Sequence, residues 1–139
     1  MKELIQLDFE AKKKRYPNIP EHCLPKLKVK QSANGLTQAI IKFLTLHGHF
    51  ATRTSSAGRY LVKEKKWIPS TTRKGYPDIT AIMNGRTLAI EVKIGKDKMS
   101  QAQQCVKEEI EASGGIYFIA KSFDEFERFY NDTNTKNTL

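Results

Sequence analysis

Residues 75–93, GYPDITAIMNGRTLAIEVK, form two runs of alternating apolar and polar residues on either side of the dipeptide Asn84-Gly85. Asn-Gly between alternating runs is the strongest short-range signal for a β-hairpin, because a type I′ turn requires positive φ at both central residues. This turn puts Met83 opposite Arg86, and every further cross-strand pair keeps the same sum of residue numbers. The stretch therefore predicts a hairpin of defined register.

This register places two acidic residues and a lysine on one face of the hairpin. Asp78 falls opposite Glu91, with Cβ atoms expected about 4.5–5.5 Å apart, and Lys93 follows about 6.6 Å along the strand. Like charges directly opposite each other destabilise a sheet. A divalent cation between the carboxylates is the simplest compensation, since Mg²⁺ is commonly held by one or two carboxylates together with waters and phosphate oxygens. The alternative is a solvated strand face with a Glu91–Lys93 surface pair.

Three short motifs together resemble a known superfamily of nucleases. Gly75-x-Pro77-Asp78, Glu91-Val92-Lys93 and Ser100-x-x-Gln103 are similar to the motifs of the PD-(D/E)xK nucleases. Within that superfamily, the chain resembles the virus-type replication-repair nuclease (VRR-NUC) domain, a relative of Holliday-junction resolvases. The resemblance covers residues from Gly35 to Tyr130.

The resemblance implies a restriction-endonuclease-like α/β fold with an αβββαβ core, in which a mixed sheet is flanked by helices. It implies Mg²⁺-dependent hydrolysis of phosphodiester bonds in DNA, including branched or flap DNA, by an endonuclease that also accepts Mn²⁺. It further implies a homodimer. The two cysteines of the chain lack paired spacing and indicate a reducing compartment, so we expect an intracellular, cytoplasmic protein, in a cell or in a virus-infected host. The alternative function is a nucleic-acid-binding module of the same fold that does not cleave.

The resemblance also assigns roles to the residues of the hairpin. Asp78 and Glu91 would be direct metal ligands, and the backbone carbonyl of Val92 would be a third. Lys93 would orient the attacking water or stabilise the negative charge that develops during hydrolysis. A pure binding module would have no need of the Asp78, Glu91 and Lys93 trio, so the trio favours the nuclease.

Two glutamines are further candidates. Gln103 and Ser100 fit a capping box at the start of a helix, while the resemblance brings Gln103 to the active site, and we expect one amide to serve these two places only partly. Many relatives carry a metal-binding Glu on the first helix, but this chain has no acid between Glu21 and Glu64. Gln38 is the nearest polar residue of similar length there, and a solvent-facing position explains it equally well.

Composition indicates one basic domain. The 139 residues carry a net charge of +9, which indicates a polyanionic partner, either nucleic acid or an anionic membrane surface. No apolar run is long enough to span a bilayer, and no signal-peptide pattern is present, so we expect neither a membrane-spanning nor a secreted protein. Cys23 and Cys105 lack paired spacing and indicate free thiols.

Basic residues are concentrated before the hairpin, where we expect contacts to DNA phosphates. The loop of residues 69–75 is interpreted either as a phosphate clamp or as a mobile surface loop. The residues expected to bind DNA are Arg53, Ser55, Arg59, Lys63, Arg73 and Lys74.

The order of predicted elements is helix, three strands, helix, strand, helix. We expect a basic N-terminal extension at residues 1–33, a nuclease domain at 34–130 and a polar tail at 131–139. The extension is interpreted as solvated, or alternatively as an arm that follows a phosphate backbone or packs on a partner subunit. Asn34 is the predicted N-cap of the first domain helix.

Overall fold

A computed structural model describes residues 1–54 and 58–137, and these form a mixed α/β fold. Four helices surround a mixed sheet of four strands in this part of the chain. The helices are α1 (Lys2–Arg15), α2 (Ala33–Leu46), α3 (Gln101–Ala112) and α4 (Phe123–Asn137). The strands are β1 (Phe50–Arg53), β2 (Arg59–Leu61), β3 (Lys66–Ile68), β4 (Ile79–Met83), β5 (Arg86–Val92) and β6 (Ile116–Ala120).

The main sheet has the strand order β1-β4-β5-β6. Strand β4 pairs antiparallel with β1 and β5, whereas β5 and β6 are parallel and are connected through α3. Strands β2 and β3 form a separate antiparallel ribbon between β1 and β4 in the chain. The prediction of a mixed sheet with flanking helices is confirmed. None of the helices in the described ranges is both long and apolar enough to cross a bilayer.

The hairpin has the predicted register. Asn84 and Gly85 occupy the turn with φ of 52° and 74°, and Met83 pairs with Arg86. The two-residue turn therefore determines which side chains share a face of β4 and β5. One face is apolar, and four of its residues are fully buried: Ile79, Ala81, Leu88 and Ile90.

The core lies between this apolar face and the helices α1, α2 and α4. Phe43 of α2 packs edge-to-face against Phe126 and Tyr130 of α4, with ring centroids 5.9 and 5.0 Å apart. Leu4 of α1 is fully buried in the same cluster. Helix α3 packs on the other face of the sheet, where Val106 is buried. The polar face of the hairpin therefore lies on the side of α3.

The interpretation of residues 1–33 as a solvated extension is wrong for α1. Leu4 belongs to the core, and the carboxylate of Asp8 is buried between Lys12 and Lys42, at 2.6 Å from each ammonium. Burial would raise the pKa of Asp8, but the hydrogen bonds from both lysines outweigh it and hold that pKa below its usual range. A buried charge is stable only when it is paired in this way. Because Lys42 belongs to α2, its ion pair with Asp8 anchors α1 to α2.

Two helix ends differ from the prediction. Ser32, not Asn34, caps α2, and its hydroxyl accepts a hydrogen bond from the Gly35 N–H at 3.0 Å. The residues of the predicted polar tail are helical as far as residue 137, because α4 continues to Asn137. Asn134 on this last part accepts a hydrogen bond from Asn84 at 3.0 Å, which ties the end of α4 to the hairpin turn.

Candidate active site

Asp78 is fixed at the end of the main sheet, immediately before β4. Its carboxylate accepts a hydrogen bond from the Val92 N–H on β5 at 2.9 Å, and its carbonyl accepts one from the Thr54 N–H after β1 at 2.8 Å. The observed pairing of β4 and β5, continued by one residue, places Asp78 opposite Glu91. The two carboxylates therefore share one face at the same end of the sheet.

Glu91 is a buried carboxylate with one unsatisfied oxygen. The residue is 3% exposed, and its Oε1 accepts a hydrogen bond from Gln103 Nε2 at 2.5 Å. Its Oε2 is buried and has no hydrogen-bond partner among the described residues. Burial and then the charge of Asp78 raise the pKa of Glu91, and Lys93 and the backbone of Asp78 only partly oppose them. A buried polar atom without a partner is costly, and Oε2 could accept a further hydrogen bond or a cation.

Lys93 is a buried ammonium held between two acids. It is 8% exposed, and its Nζ lies 3.3 Å from Glu91 Oε1 and 3.4 Å from Asp97 Oδ2. The alternative of a solvated strand face is wrong, because both Glu91 and Lys93 are buried. Asp97, which follows β5 in an exposed loop, was not predicted to be near the site.

Gln103 uses both ends of its amide. Its Oε1 accepts a hydrogen bond from the Ser100 N–H at 2.8 Å, which completes the predicted capping box, and its Nε2 donates to Glu91. The expectation that these two roles are only partly compatible is wrong, because the cap needs an acceptor and the carboxylate needs a donor. One side chain thus joins the first turn of α3 to Glu91.

The loop before Asp78 is pressed against the start of α3. Gly75 has φ of +83°, and a Cβ at this position would lie 2.5 Å from the carbonyl oxygen of Ala102 and 2.8 Å from the Gln103 nitrogen. Only glycine fits this approach and this backbone conformation. The Gly75-x-Pro77-Asp78 motif therefore positions Asp78 relative to Gln103.

Tyr117 is a site residue that the sequence did not reveal. It pairs with Ala89 across β5 and β6, and its side chain lies on the face that carries Glu91. Its hydroxyl is buried without a partner among the described residues. Burial, followed by the charges of Glu91 and Asp78, raises the pKa of Tyr117 above its usual range. Because 116–120 is an apolar run, the sequence indicated only a buried strand; the register with β5 was the missing signal.

A chain of hydroxyls continues the polar face towards β1. The hydroxyls of Thr54 and Thr80 are 3.3 Å apart, and Thr80 donates to the Tyr76 hydroxyl at 3.3 Å. Thr54 follows β1 and therefore lies on the side of Asp78 away from Glu91. The face beside the carboxylates is thus polar, and it suits a hydrated or phosphate-bearing ligand.

The residues predicted to bind DNA have different surroundings. Arg73 donates two hydrogen bonds of 2.6 Å to the carboxylate of Glu109 on α3, and Arg53 donates to Asn34. Gln38 is exposed on α2, the helix that packs on the apolar face. Ser55 lies outside the described residues. The remaining three, Arg59, Lys63 and Lys74, are exposed.

Within residues 1–54 and 58–137, no three His, Cys, Asp or Glu side chains are grouped closely enough to hold a metal ion. A cation between Asp78 and Glu91 would therefore need a backbone oxygen, water or phosphate to complete its coordination sphere. Both cysteines, Cys23 and Cys105, are exposed free thiols. The chain matches no protein-family model and no curated protein sequence.

Proposed function

We propose that the protein is a metal-dependent nuclease that hydrolyses phosphodiester bonds in DNA, built on a restriction-endonuclease-like core of the VRR-NUC type. The observation that supports it most is the Oε2 of Glu91, which is buried without a hydrogen-bond partner among residues 1–54 and 58–137, opposite Asp78 and beside the buried ammonium of Lys93. The strand order β1-β4-β5-β6, with α3 connecting β5 to β6, supports the fold. The net charge of +9 supports a polyanionic substrate.

The residues of the site fit a hard divalent cation such as Mg²⁺ or Mn²⁺. Asp78 and Glu91 offer carboxylate oxygens, which these cations prefer. The Val92 N–H points at Asp78, and the N–H and C=O of one strand residue point to the same side. The Val92 carbonyl therefore faces the Asp78 edge and would be the third ligand. When bound, the cation would polarise a phosphoryl oxygen and lower the pKa of an attacking water.

The protein side chains fix the geometry around that centre. Gln103 and the Val92 N–H orient the two carboxylates, so that little rearrangement is needed when substrate binds. Lys93 is held by Glu91 and Asp97, and from this fixed place it stabilises negative charge that develops on the phosphate. Tyr117 is a neutral phenol at neutral pH, and burial and the nearby carboxylates raise its pKa further, so it acts only as a hydrogen-bond donor or acceptor.

Cleavage assays on labelled substrates test the nuclease directly. We expect the wild type to cut at least one of duplex, single-stranded, flap or four-way DNA with Mg²⁺ or Mn²⁺, and none of them in EDTA. Asp78→Asn and Lys93→Met should lower the cleavage rate at least about 100-fold, on the scale of lost electrostatic stabilisation at an active site. Glu111→Gln is the matched control, because Glu111 is an exposed carboxylate on α3.

The alternative is a nucleic-acid-binding module that does not cleave. It would be supported by metal-dependent binding without cleavage of any substrate in the panel. Equal cleavage by the wild type and both site variants would instead place the activity outside this site.

The proposal includes a homodimer, which would allow two strands to be cut symmetrically. Phe50 and Ile82 are cross-strand neighbours and are 60% and 50% exposed, so they offer an apolar patch for a second copy. Sedimentation at tens of micromolar should then show a dimer, and Ile82→Lys should give the monomer. A wild type that sediments only as a monomer contradicts this part of the proposal.

A further inference from the structure

The ribbon of β2 and β3 exposes two aromatic side chains on one face. Tyr60 and Trp67 are cross-strand partners, so their side chains lie side by side. Tyr60 is 53% exposed and Trp67 is 60% exposed. The opposite face carries Leu61 and Ile68, which are half-buried, together with Arg59 and Lys66, which are exposed. The two aromatic rings therefore form an exposed pair of their own, which is typical of a binding surface.

Trp67 is positioned by the backbone beside it. A Cβ at Gly58 would lie 2.8 Å from the indole Nε1 of Trp67, so the indole rests against the Gly58 backbone. A ring held in this way loses little side-chain entropy when a ligand covers it. The indole is thus already ordered before a ligand binds, while more than half of the residue stays exposed to solvent.

The ribbon is strongly basic, which restricts the partner. Four basic residues stand against one acidic residue in the segment 58–68, and all five side chains are exposed: Arg59, Lys63, Lys65, Lys66 and Glu64. Lys63 and Lys65 lie in the turn that joins the two strands, whereas Arg59 and Lys66 lie on the face opposite the rings. Exposed aromatic rings on a basic ribbon match a ligand that combines flat π-faces with negative charge. A nucleic acid strand has both features, in its bases and its phosphates.

The ribbon lies in the chain between β1 and β4, which meet at the end of the sheet that holds the candidate active site. The Thr54 N–H after β1 donates to the carbonyl of Asp78 before β4, at 2.8 Å. The chain segment that contains the ribbon therefore begins and ends beside Asp78.

We propose that Tyr60 and Trp67 stack on unpaired bases of the substrate, so that the ribbon binds a single-stranded segment of DNA in preference to a duplex. Bases inside a duplex are already stacked on each other, and only unpaired bases offer a free face to such rings. This inference rests on the proposed nuclease only for the identity of the ligand as its DNA substrate. The stacking itself does not require cleavage.

Trp67 is the only tryptophan of the chain, so its intrinsic fluorescence reports the contact directly. In EDTA, titration of the full chain with an oligo-dT strand should quench the emission until it saturates. A blunt duplex of equal phosphate number should quench it much less. Tyr60→Leu keeps the Trp67 probe, and it should shift the oligo-dT titration to about 10-fold higher concentration, the scale of one lost stacking contact.

Anisotropy of a labelled oligo-dT strand extends the test to a variant without the indole. Trp67→Leu should weaken binding of the single strand about 10-fold and binding of the duplex much less. Tyr16→Leu is the matched control, since Tyr16 is an aromatic residue, 45% exposed, at the end of α1, a helix that packs on α2. It should leave both affinities unchanged.

Three outcomes would overturn the inference: unchanged emission at saturating oligo-dT, equal quenching by the blunt duplex, or wild-type affinity in Trp67→Leu. Emission that changes only with a protein or vesicle partner would also overturn it. Because the titrations exclude metal, they are independent of catalysis. Quenching without cleavage in the metal assays contradicts the nuclease alone, whereas cleavage without quenching contradicts the ribbon contact alone.

Discussion

Glu91→Gln is expected to abolish DNA cleavage while the free energy of unfolding of the metal-free protein stays unchanged or rises by about 0.5–1 kcal/mol, the scale of a cross-strand pair. The substitution removes a buried charge that lies opposite Asp78. A glutamine carbonyl can still accept from Gln103 and Lys93, the two partners of Glu91 Oε1. The substitution should therefore remove the catalytic activity without disturbing the packing of the site.

The pH dependence of stability gives the sign of the change in unfolding free energy that Glu91→Gln causes. The fold raises the pKa of Glu91 above the ordinary carboxyl value of 4.5, first through burial and then through Asp78. The protonated form therefore stabilises the fold below that value, and this contribution is lost as the pH rises through the folded pKa. Gln at this position does not titrate, so the stability of Glu91→Gln relative to the wild type should grow over the same pH interval and then level off.

Mg²⁺ should make the wild type more stable than Glu91→Gln, the reverse of the order expected without metal. A cation that binds only the folded state raises its stability by ligand linkage, and it requires the ionised carboxylates. Thermal unfolding with and without Mg²⁺ should then show a clear rise in Tm for the wild type and a much smaller one for Glu91→Gln. The exposed variant Glu111→Gln should respond as the wild type does.

Two results would contradict this account of Glu91. A loss of several kcal/mol in metal-free Glu91→Gln would make Glu91 a structural partner of Lys93. An identical response of both proteins to Mg²⁺ would show that Asp78 and Glu91 do not share a cation.

The hairpin was predictable because its information is local. Asn84-Gly85 specifies a turn with positive φ at both residues, and the turn alone determines which residues face each other. The position of Asp78 opposite Glu91 followed from counting. The Ser100 and Gln103 capping box is equally local, since both residues lie in one helical turn.

Helix α1 was missed as part of the core because its buried face contains a charge. Asp8 interrupts the apolar pattern after Leu4, and a carboxylate at such a position indicates solvent unless its partners are known. Lys12 lies one turn away, but Lys42 lies on another helix. Only the packing of α1 on α2 brings these three residues together.

The remaining contacts of the site depend on tertiary placement. Whether Tyr117 faces Glu91 or the apolar core depends on the register between β5 and β6, which are joined by a helix and have no turn to fix it. The pairing of Arg73 with Glu109 likewise requires the loop before Asp78 to lie along α3. A sequence motif can therefore identify Gly75 as important. The physical reason why glycine is required there is the close approach of α3, which only the structure shows.

Gly75→Ala is expected to lower the free energy of unfolding by about 2–5 kcal/mol, from unfavourable positive φ and from overpacking. The added methyl would meet the backbone of Ala102 and Gln103, which cannot move aside as a flexible side chain would. The start of α3 must then shift away from the loop. This shift should withdraw the Gln103 amide from Glu91, and cleavage should fall even where the variant is still folded.

Gly48→Ala separates the two causes. Gly48 has the same φ of +83°, but a Cβ there would have nothing within 4 Å, so its substitution should cost only the conformational strain, about 1–2 kcal/mol. Urea unfolding of both variants measures the difference, which isolates the close approach of the loop to α3. If Gly75→Ala costs no more than Gly48→Ala and cleaves as the wild type does, then α3 is not held against the Gly75-x-Pro77-Asp78 loop, and Gln103 is not fixed on Glu91 by this contact.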